Sequence, residues 1–461
     1  MVRMKKEKIA IIGAGIGGLS AALLLSHKGY EVTVFDSHGY PGGKMRAVQS
    51  AAGLVDAGPT VFTLKHLFDE LFHDVEEKME DHLCISQEPI LARHFCHDGS
   101  TLDLYSNIEK TCNEISNFAG NRAADEFRNF NSLTRNLFST FDEPILRNSK
   151  PSIVASSIRT LKSLHKIGIA LRPGQTLNKL TQQKFTDPRL QQLFSRYSTY
   201  VGGSPFDSPA ILSLIWQAEA LGVWRIGGGM HNLAKTLKQL AEKRGATFVF
   251  NTTASRILIK NNHAIGVRLA NDQEFYSKTV IFNGDPKALH DGMLGEQVTK
   301  VVPSHSVKNR SLSAYVWTFS AKTSNKKLIH HNVFFNREYN SEFDQISKNL
   351  MPVDPTLYVC AQNRGQIEAS DTEEKFEIIM NAPPLNTETA LNKKEYELCR
   401  ETTFGRLEKM GLKFNRIPGP GALTTPRQFN QLFPASNGSL YGLNPKKFMT
   451  TFTRPLARTK V

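Results

Sequence analysis

"KIAIIGAGIGGLSAALLLSHKGYEVTVFDS", Lys8 to Ser37, reads as a strand, a glycine turn, a helix and a second strand. Ile9 to Ile12 is an apolar run suited to a central parallel strand. Gly13-Ala14-Gly15-Ile16-Gly17-Gly18 follows, so Gly13, Gly15 and Gly18 fit G-x-G-x-x-G. The first glycine permits a tight turn, the second lets a pyrophosphate approach the backbone, and the third lets helix and strand pack closely. Leu19 to His27 continues as an apolar helix whose N-terminal amides and dipole favour a phosphate. Glu31 to Phe35 forms the next strand, and Asp36 follows where an acid accepts hydrogen bonds from a ribose hydroxyl. A 2′-phosphate there would be repelled, which disfavours NADP. The unit predicts a Rossmann-type α/β domain that binds a dinucleotide.

The chain has 461 residues, 40% apolar and 22% charged, which suits a globular protein of two or three domains. With 57 Lys and Arg against 43 Asp and Glu, its net charge of +14 favours an anionic partner. Cys84, Cys96, Cys112, Cys360 and Cys399 form no C-x-x-C pair and are odd in number. That argues for a reducing compartment and against a disulfide framework or zinc cluster. The short charged start, Met1 to Lys8, leaves no room for a signal peptide. Apolar runs fall short of the roughly 18 residues of a spanning helix. The expectation is a chain that is soluble or lies on a membrane without crossing it.

Two further blocks bear on the cofactor. Pro41-Gly42-Gly43-Lys44-Met45-Arg46 adds two glycines and two cations, and resembles the second glycine motif of glutathione-reductase-like and amine-oxidase-like flavoproteins. There such a loop passes the pyrophosphate and ribityl chain. Val55-Asp56-Ala57-Gly58-Pro59-Thr60 resembles the segment that runs beside the isoalloxazine ring. The cofactor inferred is therefore FAD. The candidate cofactor residues are Gly13, Gly15, Gly18, Asp36, Gly42, Gly43, Lys44, Arg46, Asp56, Gly58, Pro59, Thr60 and Ala254.

Further along, Phe62 to Met79 reads as a helix, Glu88 to Leu104 as strands around a turn at residues 97–100, and Asn107 to Phe141 as helical. Lys235 to Arg244 reads as a helix. Strands follow at Ala254 to Lys260 and Ala264 to Leu269 with a turn at Asn261-Asn262, then at Thr279 to Phe282. Ile145 to Thr186 stands apart, with eight Lys or Arg and no Asp or Glu. On a helical wheel Val154, Ile158, Leu161, Leu164 and Leu171 share one side, and Arg159, Lys162 and Lys166 another. A core-facing helix with a solvated basic face has a similar pattern, but the complete absence of acids favours contact with an anionic membrane surface. Nucleic acid is not expected, because aromatic side chains are not interleaved with these cations.

Several blocks resemble the bacterial phytoene-desaturase family of FAD-dependent carotenoid oxidoreductases. They are "VDAGPTVFTLKHLFDELF" (Val55 to Phe72), "RYSTYVGGSPFDSPAILSLIWQAEALGVWRIGGGMHNLA" (Arg196 to Ala234), "RSLSAYVW" (Arg310 to Trp317), "HHNVFF" (His330 to Phe335), "LYVCAQNR" (Leu357 to Arg364) and "LFPASNGSLYG" (Leu432 to Gly442). Within that family the likeness is to the hydroxyneurosporene and methoxyneurosporene 3,4-desaturases. It implies a Rossmann-type FAD-binding domain, discontinuous over residues 1–75, 215–290 and 430–461. It also implies an α+β substrate domain over 76–110 and 291–429, and a helical membrane or substrate-access region over 111–214. The implied enzyme lies on the inner face of the cell membrane, open to the cytoplasm.

The implied reaction removes a hydride from C4 and a proton from C3 of a 1-hydroxy or 1-methoxy acyclic carotenoid, with oxygen or a quinone as final acceptor. The polyene spreads the developing positive charge, so a weak base or water suffices and no catalytic triad is expected. Arg196 and His231 are candidates to orient a substrate hydroxyl; each also fits an ordinary packed or salt-bridged role, as do Tyr197, Trp216 and Trp224. His330 and His331, being adjacent, are expected on opposite sides of a strand and are read as structural, with no metal site. The family's glycine-rich C-terminal FAD segment, similar to "PGLYLAGG", is expected after Lys460, where this sequence stops. Two alternatives stay open: a flavin oxidase of amines or porphyrinogens, and a shortened chain that only binds carotenoid or membrane.

Overall fold

The computed structural model describes residues 7–143, 147, 161, 163–324, 328–365, 373–386, 393–446, 450, 454–455 and 457–459. Strand β1 (Lys8–Ile12), helix α1 (Ile16–His27) and strand β2 (Glu31–Phe35) form as their periodicity dictates. β1 lies inside a four-stranded parallel sheet, with the Thr279–Phe282 strand on one side and β2 on the other; Thr247–Val249 lies beyond β2. Its central residues Ile9, Ala10 and Ile11 are buried, which accounts for the unbroken apolar run. The chain leaves β1 through Gly13 at φ +101°. A Cβ on Gly18 would stand 2.0 Å from the Gly13 carbonyl oxygen, so α1 packs on its strand only because that position is glycine. α1 buries Leu19, Ala22 and Leu23 in the same cluster as Leu233, Leu237 and Ala241 of the His231–Lys243 helix.

A seven-stranded sheet forms the second layer, in the order Leu423–Thr424, Ser313–Ala321, Glu374–Ala382, Leu357–Ala361, His331–Phe334, Ala92–Phe95, Thr101–Leu104. The period of two along its strands separates two faces. Trp317, Phe319, Leu357, Val359, Phe376, Ile378 and Met380 enter one core. Their alternates, including Val316, Tyr358, Glu377 and Ile379, face the other way, toward the cavity described below.

Some expected elements change extent. The stretch from Asn107 to Phe141 is two helices, Ile108–Ala119 and Asn121–Phe141, because Gly120 takes φ +90° between them. The helix expected from Phe62 to Met79 is confined to Lys65–His73: Phe62 accepts a backbone hydrogen bond from Trp224 at 2.8 Å, and Glu76 turns the chain at φ +62°. The helix expected from Lys235 begins at His231. Ala254–Lys260 and His263–Leu269 form the expected hairpin, its turn made by Asn261 and Asn262, both at positive φ.

Among the described residues, no helix is long and apolar enough to cross a membrane. Of the basic stretch, residues 145–146, 148–160 and 162 lie outside the described residues, and with them Val154, Ile158, Arg159 and Lys162. Leu161 and Leu164 are 72% and 48% exposed, whereas Leu177–Lys184 is a helix with Leu177 and Leu180 in the core. Of residues 447–461, residues 450, 454–455 and 457–459 are among the described ones.

Candidate active site

A groove of about 810 Å³ opens at the C-terminal ends of the parallel strands. This is where open α/β sheets place ligands. Gly13, Gly15 and Gly17 form part of its floor, Asp36 and Ala254 line it, and Gly42, Gly43, Lys44 and Pro59 do so too. The two glycine loops touch: Gly42 donates its amide to Ala14 O at 2.8 Å. A Cβ on Gly43 would come 3.1 Å from Gly15 Cα, and one on Gly42 would come 2.3 Å from Met45 O. Bare backbone is thus required where the loops meet, and side chains would fill the cradle.

Asp36 is held by its own loop. Ala14 N donates to Oδ2 at 2.6 Å and His38 N to Oδ1 at 2.8 Å, with His38 Nδ1 3.0 Å from Oδ1. Burial works against the charge, but the hydrogen bonds from His38 and Ala14 outweigh it and hold the carboxyl below its ordinary value. Asp36 is therefore an anion with lone pairs toward the groove, suited to a ribose diol.

The remaining candidates are placed differently. Gly18 packs behind the turn. The Arg46 guanidinium is buried, donates to Thr424 Oγ1 at 2.8 Å and lies over the Phe429 ring, so its contacts are with the edge of the seven-stranded sheet and the helix after it rather than the groove. Asp56 accepts the amides of Met230 and His231 at 2.7 and 3.2 Å, at the start of a helix. Lys44 Nζ donates to Leu440 O at 2.6 Å, and its burial pushes its pKa down.

A second cavity, about 390 Å³, adjoins the groove. The two share Lys44, Pro59, Leu440 and Tyr441. Gly58 and Thr60 line it, as do Arg196, Tyr200, Phe429 and the sheet residues Val316, Tyr358, Glu377 and Ile379. Its polar groups are chained together. Thr60 Oγ1 lies 2.9 Å from the Tyr358 hydroxyl and donates to Glu377 Oε2 at 3.3 Å; the Tyr358 hydroxyl lies 2.7 Å from His331 Nδ1. In a second network Arg196 donates to the Tyr200 hydroxyl at 3.3 Å, and Tyr200 and Tyr197 donate to the two oxygens of Glu219 at 2.8 and 3.0 Å. Burial works against the Arg196 charge, yet Tyr200 and Glu219 outweigh it and keep the guanidinium protonated. Glu377 is fully buried, and burial above all pushes its pKa well above the ordinary carboxyl value.

Arg196 and His231 are not brought together. Arg196 lines the second cavity, whereas the His231 ring sits under the second glycine loop, its Nδ1 2.9 Å from Met45 O. Trp216 is a core residue, donating to Asn131 Oδ1 at 2.9 Å, and Tyr197 packs against it. The two adjacent histidines depart from the expected opposite placement. His330 occupies a bend before the His331–Phe334 strand, so the rings meet with centroids 4.5 Å apart. Cys360 joins them, its Sγ 3.6 Å from His330 Nε2. Glu219, Glu377, Tyr358 and Asn283, which lies against the glycine turn, were missed by sequence reasoning. The one legible signal was an acid inside the otherwise apolar "FEIIM" of the Glu374–Ala382 strand.

The flavin containing amine oxidoreductase family matches residues 16–326. Over 458 residues the chain is 44% identical to a hydroxyneurosporene desaturase of Cereibacter sphaeroides, covering 99% of this chain and 92% of that protein. It is 43% identical to the hydroxyneurosporene desaturase of Rhodobacter capsulatus over 451 residues, 98% of this chain and 90% of the relative. Among solved structures, an oxidoreductase from Methanosarcina mazei shares the fold at a TM-score of 0.59 with 15% identity, covering 98% of each chain. The glycine cradle, the anionic Asp36 and the adjoining cavity fit FAD laid from Asp36 toward Pro59. The chain belongs to the flavin containing amine oxidoreductases, and is an FAD-dependent oxidoreductase of their carotenoid-desaturase branch.

Proposed function

We propose that the protein desaturates the C3–C4 bond of a 1-hydroxy or 1-methoxy acyclic carotenoid. The observation that carries this reading is the junction of the two cavities at Lys44, Pro59, Leu440 and Tyr441, which brings an apolar chamber with a few polar groups against one end of the groove. Bound FAD supplies the hydride acceptor for oxidation of a C–C single bond. The chain's residues bind and orient. Gly13, Gly15, Gly42 and Gly43 admit the pyrophosphate region, and Asp36 meets the ribose. Val316, Ile379 and Phe429 exclude water from the chamber and pack on hydrocarbon, and a chamber of about 390 Å³ holds the end of a long polyene. Thr60 and Tyr358 stand as hydroxyl groups near Pro59, where they can hydrogen-bond the weak base or water that takes the proton leaving C3. Names of the relatives support the substrate class.

The same reading places the enzyme on an anionic membrane, on its cytoplasmic side, through the basic Ile145 to Thr186 stretch. Its composition and the exposed Leu161 and Leu164 support this. The electrons pass on to oxygen or a quinone.

The test is a visible spectrum of the full chain after FAD loading and removal of excess. A retained flavin band, bleached anaerobically by a 1-hydroxycarotenoid with the 3,4-desaturated product appearing, is the expected result. A loaded protein that no acyclic carotenoid bleaches would remove the reading.

A further inference from the structure

The wall of the second cavity holds an acid that the hydride chemistry does not use. Glu377 lies in the middle of the Glu374–Ala382 strand, on the face that carries Ile379 and Asn381 into the cavity. Thr60 Oγ1 takes one of its oxygens, Oε2. The other, Oε1, is buried and has no hydrogen-bond partner among the described residues. A buried polar atom left without a protein partner is costly, and a natural sequence keeps one where a ligand, an ion or a water completes it. Its position is specific. Thr60 follows Pro59, one of the residues shared by groove and cavity, so Glu377 is one hydrogen bond from the junction.

The substrate's chemistry asks for a polar group there. A hydroxyl on C1 is separated from C3 by two carbons, so with C3–C4 at the groove the oxygen must also lie near the junction. Farther along the polyene there is only hydrocarbon. An apolar chamber with one unsatisfied oxygen beside the junction matches that distribution. Burial pushes the Glu377 carboxyl well above its ordinary range and so favours its neutral form, which has both an O–H to donate and a lone pair to accept, as an alcohol requires.

We propose that Glu377 is the specificity-determining residue that reads the C1 oxygen of the carotenoid, with Thr60 holding the carboxyl in place. This rests on the 1-hydroxycarotenoid reading above. The carboxyl acts by positioning and takes no part in hydride or proton transfer.

The experiment uses the FAD-loaded full chain as wild type, Glu377→Leu and Glu377→Gln. Each is assayed with a 1-hydroxy acyclic carotenoid and with the same compound lacking the hydroxyl. In Glu377→Leu, kcat/KM for the hydroxylated substrate falls about 10- to 100-fold, while that for the deoxy analogue stays within about twofold. Glu377→Gln, which keeps polar atoms but changes their pattern, loses about 3- to 10-fold of the discrimination. A purely structural role would lower both substrates together. An unchanged ratio in whichever variant retains its flavin band, or equal losses on both substrates, overturns the inference while leaving the desaturase reading intact. A wild type that retains flavin and turns over neither substrate removes both.

Discussion

The Asp56 carboxylate accepts the backbone amides of Met230 and His231, at 2.7 and 3.2 Å, across 174 and 175 residues of chain. An acid from the segment leading to Gly58 and Pro59 thereby caps the helix that packs behind the glycine turn. Two donors that the helix cannot satisfy internally are paired by one side chain.

Asp56→Ala is expected to destabilise the fold by about 1–2 kcal/mol through loss of this cap. Thermal unfolding with and without FAD checks it. A lowered melting temperature in both states is the expected outcome. An unchanged melting temperature of the FAD-free protein, with loss of bound flavin, would mean that the carboxylate serves the cofactor instead.

Gly18→Ala puts a Cβ 2.0 Å from the Gly13 carbonyl oxygen, which is backbone and has little room to move. The turn and α1 must separate, and the groove floor opens. The ratio of flavin to protein absorbance after gel filtration is expected to fall at least tenfold. A full complement of flavin in this variant would contradict the cradle described here.

Acid should weaken the fold through buried neutral histidines. Burial, aided by the Arg196 charge, pushes His94 down to about 3; burial, aided by Arg225, pushes His330 down to about 4. An unfolded chain protonates both near pH 6.5, so below that pH it binds protons that the native state refuses. The contribution of these two histidines is constant above pH 6.5 and falls below it, by about 1.4 kcal/mol per pH unit for each histidine until its folded value is reached. Urea unfolding between pH 8 and 4.5 measures the slope. His94→Asn should flatten it by about one histidine's share, and an unaltered slope would show that His94 is protonated in the native protein.

Leu161→Asp/Leu164→Asp tests membrane attachment. Both side chains are exposed, so the fold should tolerate the change. Sedimentation with vesicles containing anionic lipid is expected to drop several-fold for the double variant and to weaken with salt for the wild type. Equal binding by both proteins would remove these leucines from the membrane contact.

Local chemistry made part of this protein legible. The strand, turn, helix and strand from Lys8 to Phe35 follow from apolar runs and glycines whose meaning does not depend on distant residues. The hairpin at Asn261-Asn262 is of the same kind, since two residues tolerant of positive φ specify the turn. The breaks at Gly120 and Glu76 were harder, because a single positive φ inside a helical pattern is decided by what the flanking segments pack against. Spacing also put Asp56 beside Gly58 and Pro59 correctly in the chain, but spacing carries no information on which way a carboxylate turns.

Residues from Lys8 to Thr60 thus specify a flavin-type cradle from within, because turn geometry and hydrophobic period are short-range properties. The chamber beside it has no such local origin. Thr60 meets Tyr358 and Glu377 across 298 and 317 residues, and Arg196 and Tyr200 join the same lining from the short Arg196–Val201 helix. Those partners are chosen by strand register and by the packing of one sheet face. Folding of the whole chain is what turns an isolated acid in an apolar strand into a polar group at the edge of the flavin groove.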